Sequence, residues 1–315
     1  MPFKFDERLK KHTQYNMKFN VITPPTILRP YIQYIWTAEG EADIYRQFFC
    51  ADANMKLVFS NASAFTHHSH LNMHYNSKHV KNTDFDECLG HDCVNASSAG
   101  LIGPSKEYSI LRVDGRLDMV GVKFTETGSY FLLSCQPSDA RASFVNIEQL
   151  KNAGLMSEWN EIRQLADVNA RVSSLINYFS CQLPITDREK EDAELLAYIF
   201  ERYDSNTTVK DIAHDICLCE RQLRRLSNKY IGMSITDVLT IRRFHSAMLL
   251  LADNEETLSD AITNEYFDQS HMDREFNRYC GHTPSAMKTH LDTSKWLRES
   301  APMVKLNPNN IIMMV

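Results

Sequence analysis

The chain of 315 residues contains no apolar stretch of about eighteen residues or more, so no transmembrane helix is expected. Residues 1–19 mix charges with isolated aromatics and lack the apolar run of a secretory signal, which predicts a protein that stays in the cytoplasm and does not engage a membrane. Cysteine is scarce and unpatterned. The eight residues at 50, 88, 93, 135, 181, 217, 219 and 280 form no C-x-x-C pair and no regular framework, which excludes a disulfide scaffold and predicts free thiols. Net positive charge is also missing. A formal charge of −6 argues against a protein that coats nucleic acid without regard to sequence, because such proteins are basic overall. It leaves room for a local basic surface, so the placement of the arginines becomes the question.

What is present fits a soluble globular chain of two domains, with 43% apolar and 23% charged residues. From about Ile22 to Phe144, short apolar runs alternate with turn residues, as in Lys56–Ser60 and Leu117–Phe124, and predict strands of a sheet or barrel. Asp114-Gly115 lies between two such runs and predicts a hairpin. Leu28, Tyr31, Ile32 and Ile35, after Pro24-Pro25, have the spacing of one short helix. Beyond about Asn146 the period becomes helical. Trp159, Ile162, Leu165 and Ala166 form one stripe, and Val172, Leu175, Ile176 and Phe179 another. Pro184 stops the second helix, and the charged run Thr186–Asp192 reads as a connector. These features divide the chain into 1–185, 190–292 and a tail, 293–315, without an assigned pattern.

The second part contains a repeat. Shifted by 49 residues, Thr208 falls on Thr257, Asp211 on Asp260, Leu223 on Met272, Arg225 on Arg274, Tyr230 on Tyr279 and Gly232 on Gly281. Each unit opens on Thr-x-x-Asp, the pattern of a capping box, and its second helix ends at a glycine suited to a positive φ. Two short helices and a tight turn make a helix-turn-helix. On a helical wheel Leu223, Leu226 and Tyr230 share one face, while Arg221, Arg224, Arg225, Asn228 and Lys229 lie opposite. Arginine suits a groove-reading helix because its planar fork can bond O6 and N7 of guanine together. Met272, Phe276 and Tyr279 form the corresponding core stripe of the second unit, with Ser270, Arg274, Asn277 and Arg278 facing away. Between the units, Ser234 to about Asp253 reads as one amphipathic helix. Twenty residues at 1.5 Å each span about 30 Å, close to the ~34 Å turn of B-DNA. Arg242 and Arg243 on this helix, with Lys229, are candidates for phosphate contacts.

The runs Val209–Ala213, Arg221–Leu226 and Gly232, then Arg243-Phe244 with Ala247 and Leu250-Leu251, then Asp268–Met272, Arg274–Phe276 and Gly281–Pro284, resemble in order the DNA-binding domain of AraC-type transcription regulators. The resemblance covers roughly residues 193–291. It implies double-stranded DNA as the partner, contacts with RNA polymerase, and Arg221, Gln222, Arg224, Arg225, Lys229, Arg243, Gln269, Ser270, Arg274 and Arg278 as the DNA-binding set. Ser227 stands where the family carries a large aromatic, which predicts a looser first unit, and the stretch before Asp268 lacks the usual glycine. Pro25, Leu28, Tyr31-Ile32, Trp36, Gly103-Pro104 and Gly121–Phe124 resemble the cupin-like sensor domains joined to some of these regulators. This implies an N-terminal β-barrel with supporting helices, an effector site and a homodimer, and hence a two-domain α+β chain whose C-terminal part is an all-α tandem helix-turn-helix. No catalytic residue and no cofactor are expected.

Six histidines lie within residues 67–91, with Cys88 and Cys93 among them. Imidazole and thiolate are ligands for zinc, nickel or copper, which makes His67, His68, His70 and His74 candidate metal ligands. Their polar surroundings predict an exposed insertion, and the spacing matches no closed metal site. Two alternatives stand beside the regulator. One is a metal-binding cupin-type enzyme. The other is an interaction adaptor that has lost DNA binding, which the acidic balance and the altered second unit would suit.

Overall fold

The computed structural model describes residues 18–69, 97–150, 152–183, 186–252, 266, 268–285, 287 and 313–314. The N-terminal part is an antiparallel sheet of β1 (Lys18–Ile22), β2 (Ile32–Phe49), β3 (Lys56–Ser60), β4 (Phe65–Ser69), β5 (Ala99–Ile102), β6 (Ser109–Phe124) and β7 (Phe144–Asn146), joined by β8 (Met313–Met314) from the far end of the chain. The strand order is β1-β2-β6-β3-β5-β7, with β4 beside β6 and β8 beside β2. Among the described residues the sheet stays open and does not close into the expected barrel: the end strands β1 and β7 are not paired with one another.

β2 and β6 are the spine. The Asp114-Gly115 pair does not turn the chain. β6 runs through it for 16 residues, Gly115 takes φ +98°, and the register against β2 slips between Ala42 and Tyr45. Gly115 stays paired with Ala42, and the extra residue of the bulge lies on the long partner strand, between Ala42 and Tyr45. The proposed helix at Leu28–Ile35 is reduced to one tight turn, Thr26–Leu28, after which β2 begins. Leu28, Ile32 and Ile35 are buried as expected, but Ile32 and Ile35 reach the same core across a register slip between Ile32 and Tyr34, not along a helix.

Both faces of the sheet are covered, so its strands read as apolar runs. On one face Leu57 and Phe59 of β3 pack with Val120, Val122 and Phe124 against α2 (Ala153–Ile162) and α3 (Val168–Cys181), which supply Leu155, Trp159, Val172, Leu175 and Phe179. On the other, Tyr34, Trp36, Val58, Phe65, Leu111 and Met119 form a second core. Arg171 of α3 makes a two-pronged ion pair with Asp118 of β6, fastening these helices to the sheet.

A short helix, α1 (Gly128–Leu133), and a tight turn, Pro137–Ala140, follow β6. The helical half comprises α4 (Asp187–Arg202), α5 (Val209–Asp215), α6 (Glu220–Tyr230), α7 (Ile235–Ala252) and α8 (Gln269–Cys280). The charged run after Pro184 is helix, not connector. Thr186 caps α4 by accepting from the Glu189 N–H, and Asp187 and Glu189 sit in the first turn, where acidic groups oppose the exposed amide dipoles. Thr257 and Asp260 lie outside the described residues, and of the stretch lacking glycine Tyr266 is described and buried.

The two halves share one core. Cys50, Ala51, Ala53, Ile110 and Phe131 pack with Tyr230, Ile231, Phe244, Met272 and Tyr279.

Candidate nucleic-acid interface

The first unit is built as its capping pattern requires. The Thr208 hydroxyl accepts from the Asp211 N–H at 3.1 Å and donates to the Asp211 carboxylate at 2.6 Å. The box therefore closes side chain to side chain. Thr208→Ala is expected to lower stability by about 1 kcal/mol, read as a fall in the thermal midpoint. The turn into α6 places Cys217 at φ +56°, and Gln222 closes the helix start by accepting from the Cys219 N–H at 2.9 Å. That capping role of Gln222 was not visible in the wheel.

α6 is strongly two-faced. Leu223, Ser227 and Tyr230 are fully buried, and Arg221, Gln222, Arg224, Arg225 and Asn228 are exposed. Among the described residues none of these three arginines is in an ion pair. Ser227 does not loosen the unit. Its hydroxyl donates to the Met233 carbonyl, and aromatic packing comes from the N-terminal half instead, with Tyr130 and Phe131 placing their rings 4.7 and 5.4 Å from that of Tyr230. Lys229 is drawn into the same cluster. Its ammonium donates to the Tyr230 hydroxyl at 2.7 Å and lies over the Tyr130 ring at 5.1 Å, so it is half-buried at the rim of the basic face.

In the second unit Asp268 caps α8 by accepting from the His271 N–H at 2.7 Å. Met272, Phe276 and Tyr279 are buried, and Gln269, Ser270, Arg274, Asn277 and Arg278 are exposed along one face. The linker helix α7 has 18 residues, about 27 Å at 1.5 Å each.

The structure moves Arg243 away from the phosphate-binding surface predicted for it. Its side chain is 12% exposed, and its guanidinium pairs with Glu275 at 2.6 Å, donates to the Ser205 hydroxyl at 2.9 Å and covers the Tyr266 ring at 4.8 Å. It ties α7 to α8. Arg242 is likewise engaged, at 2.9 Å from Glu126 of the N-terminal half.

The N-terminal half holds both units. The Ala51 N–H donates to the Tyr279 carbonyl at 2.8 Å, and the Ala51 carbonyl accepts from the His245 Nε2–H at 2.9 Å. Lys106 pairs with Asp237 at 2.6 Å. The two glycines that end α6 and α8, Gly232 at φ +75° and Gly281 at φ +77°, are also where the N-terminal half leans in. A Cβ would lie 2.7 Å from the Ser138 backbone nitrogen at the first and 3.0 Å from the Tyr108 ring at the second. Below Ala51, Asp52 is buried between Lys56 and Lys123, each at 2.8 Å. Burial alone would raise the Asp52 pKa, but the two ammonium groups outweigh it and hold the carboxyl well below the usual range.

Burial pushes His245 down to about 4, with Lys123 and Lys56 acting in the same direction and Asp52 opposing. The folded chain therefore binds fewer protons here than the unfolded one between the ordinary value, 6.5, and about 4. The stabilising contribution is complete above that window and declines as pH falls through it. The thermal midpoint is expected to drop with pH across this range, and His245→Gln to flatten the decline. An unchanged slope in the variant would assign the loss elsewhere.

The histidines do not meet the expectation of an exposed metal loop where they can be seen. His67 and His68 lie in β4 and are buried. His67 stacks on Phe144, and His68 is 3.0 Å from the Thr66 hydroxyl. Among the described residues no group of three or more potential metal ligands occurs. His70 and His74 lie outside them. No described helix is long and apolar enough to cross a membrane.

A family model described as a helix-turn-helix domain matches residues 206–290, and one described as a domain of unknown function, DUF6597, matches residues 20–146. Among solved structures, ToxT from Vibrio cholerae O395 superposes with a TM-score of 0.42 at 13% identity, over 89% of this chain and 99% of that one. Unsaturated fatty acid-bound ToxT from Vibrio cholerae strain SCE256 gives 0.42 at 12%, over 90% and 97%. The AraC-like transcriptional activator CuxR gives 0.26 at 7%, over 73% and 86%. No curated protein matches. The helix-turn-helix match covers α5 to α8, the segment that carries the capped units and the outward arginines, so this part of the chain is a helix-turn-helix domain, and the sheet part matches a domain of unknown function.

Proposed function

We propose that the chain reads an asymmetric duplex site through two successive major-groove segments, with α6 supplying most of the base contacts. The observation that carries this reading is the exposed face of Arg221, Arg224 and Arg225, which has no ion-pair partner among the described residues. Gln222 keeps its side-chain amide group free of the cap, since only its oxygen is used there. In the second unit Arg274 and Arg278, with Gln269 and Ser270, face outward with Asp273 next to Arg274, which suits positioning on the backbone more than base reading. The chain acts in the cytoplasm as a regulator without catalytic activity. An effector at the N-terminal domain and contact with RNA polymerase would make it an activator, working as a homodimer or alone.

Footprinting on the promoter region of its own gene at low salt tests the reading, followed by affinities at rising salt. A protected asymmetric site is expected, with log K falling linearly against log salt by about 0.9 per phosphate contact. No protection at low salt would favour the adaptor alternative and end this one.

A further inference from the structure

The basic face of α6 lines an open surface depression of about 760 Å³. Gln136 and Ser138 of the N-terminal half, at the tight turn Pro137–Ala140, line it together with Arg221, Arg224 and Arg225. Both are exposed and polar, while Pro137 beside them is buried. Asp139, the nearest carboxylate in the sequence, does not line the depression.

The turn is firmly placed. The chain at Pro137-Ser138 passes so close to Gly232 that a methyl group would not fit, and Tyr130 and Phe131 are packed on Tyr230 at the other side of α6. Ala140, at the end of the turn, is buried in the core of the N-terminal half. The geometry of a duplex then matters. A helix with its side chains is about 10–12 Å across and the major groove about 12 Å wide, so the sugar–phosphate strands run directly along the helix flanks. A group fixed beside α6 on its outward side meets one of those strands.

We propose that the N-terminal domain is part of the DNA interface, with the Gln136 amide and the Ser138 hydroxyl donating to phosphate oxygens of the strand that borders the groove read by α6. The proposal rests on α6 being a groove-reading helix. Neutral donors of this kind fix the register of the protein on the duplex and carry no sequence information. The N-terminal domain thereby adds affinity common to all sites, while the arginines supply the choice among them.

The test uses the full-length chain carrying Ser138→Lys or Ser138→Glu, an exposed position where neither side chain disturbs packing. Binding to the footprinted site and to random duplex is measured over a salt series. With lysine, affinity is expected to rise several-fold on both duplexes and the salt slope to steepen by about 0.9, one added phosphate contact. With glutamate, affinity is expected to fall by a similar factor on both, with the thermal midpoint unchanged. Gln136→Ala is expected to weaken both equally. If both substitutions at 138 leave affinity and slope at their unaltered values, the turn does not touch DNA and the proposal is overturned. Tighter binding by both would overturn it as well, since it would mean that the turn obstructs the duplex. Failure of the unaltered chain to bind any duplex is a separate outcome, and it removes the groove-reading role of α6 itself.

Discussion

Arg225→Ala is expected to weaken binding to the specific site by about 1–3 kcal/mol, roughly five- to 150-fold, while leaving the thermal midpoint within experimental scatter. The side chain is exposed on the middle of α6 and makes no ion pair among the described residues, so its removal leaves no buried partner behind. A bidentate arginine contact discriminates among bases, whereas a phosphate contact does not. The loss should therefore be larger on the specific site than on random duplex, and the ratio of the two affinities should fall. Equal affinities on both duplexes, unchanged from the unaltered protein, would remove Arg225 from the reading face.

Arg243→Ala is expected to act by the opposite route. It lies on the linker helix in a position that sequence reasoning gives to phosphate binding, yet its guanidinium is covered and paired with Glu275, itself 14% exposed. Deleting one member of a buried pair costs about 3–5 kcal/mol, because the other charge loses its close partner in a poorly solvated place, here with only the His271 ring, 3.5 Å away, still beside Glu275. The thermal midpoint should fall steeply. The salt slope of DNA binding, measured on the fraction that remains folded, should stay as it was. Glu275→Gln in the same chain should restore part of the stability by removing the stranded charge. A variant as stable as the unaltered protein but with a shallower salt slope would return Arg243 to the DNA surface.

These two arginines show what a sequence can and cannot reveal here. The orientation of Arg225 follows from helical periodicity within eleven residues, as do the buried stripes of both units, and the cap at Thr208 follows from its Thr-x-x-Asp pattern, whereas the cap at Asp268 had no such reading. The fate of Arg243 depends on Glu275 and Ser205, residues that periodicity does not bring beside it. Turn signals are ambiguous in the same way. Asp114-Gly115 is compatible with a hairpin and with a strand that runs on beside a bulge, and only the long partner β2 selects the strand. Thr186 signals a helix start as clearly as Thr208 does, but the charges after it resemble a connector when their buried companions Leu196, Ile199 and Phe200 are not weighed with them. The lean of the N-terminal half on α6 and α8 had no local signal at all. Its traces are single residues, a serine where an aromatic is usual and two glycines already explained by helix ends.

Those two glycines have a consequence for spacing. A rod such as α7 sets the distance between its ends but not the angle between what is attached there. One residue added to it would turn the second unit by about 100° relative to the first. The sheet domain touches both glycines and, through Ala51, both the rod and the end of α8, so it works as a jig that clamps each reading helix from outside. On the proposed reading of DNA by α6 and α8, the pitch of the binding site is gauged twice, once along the rod and once across the jig, and a change in either alone would put the two readings out of phase.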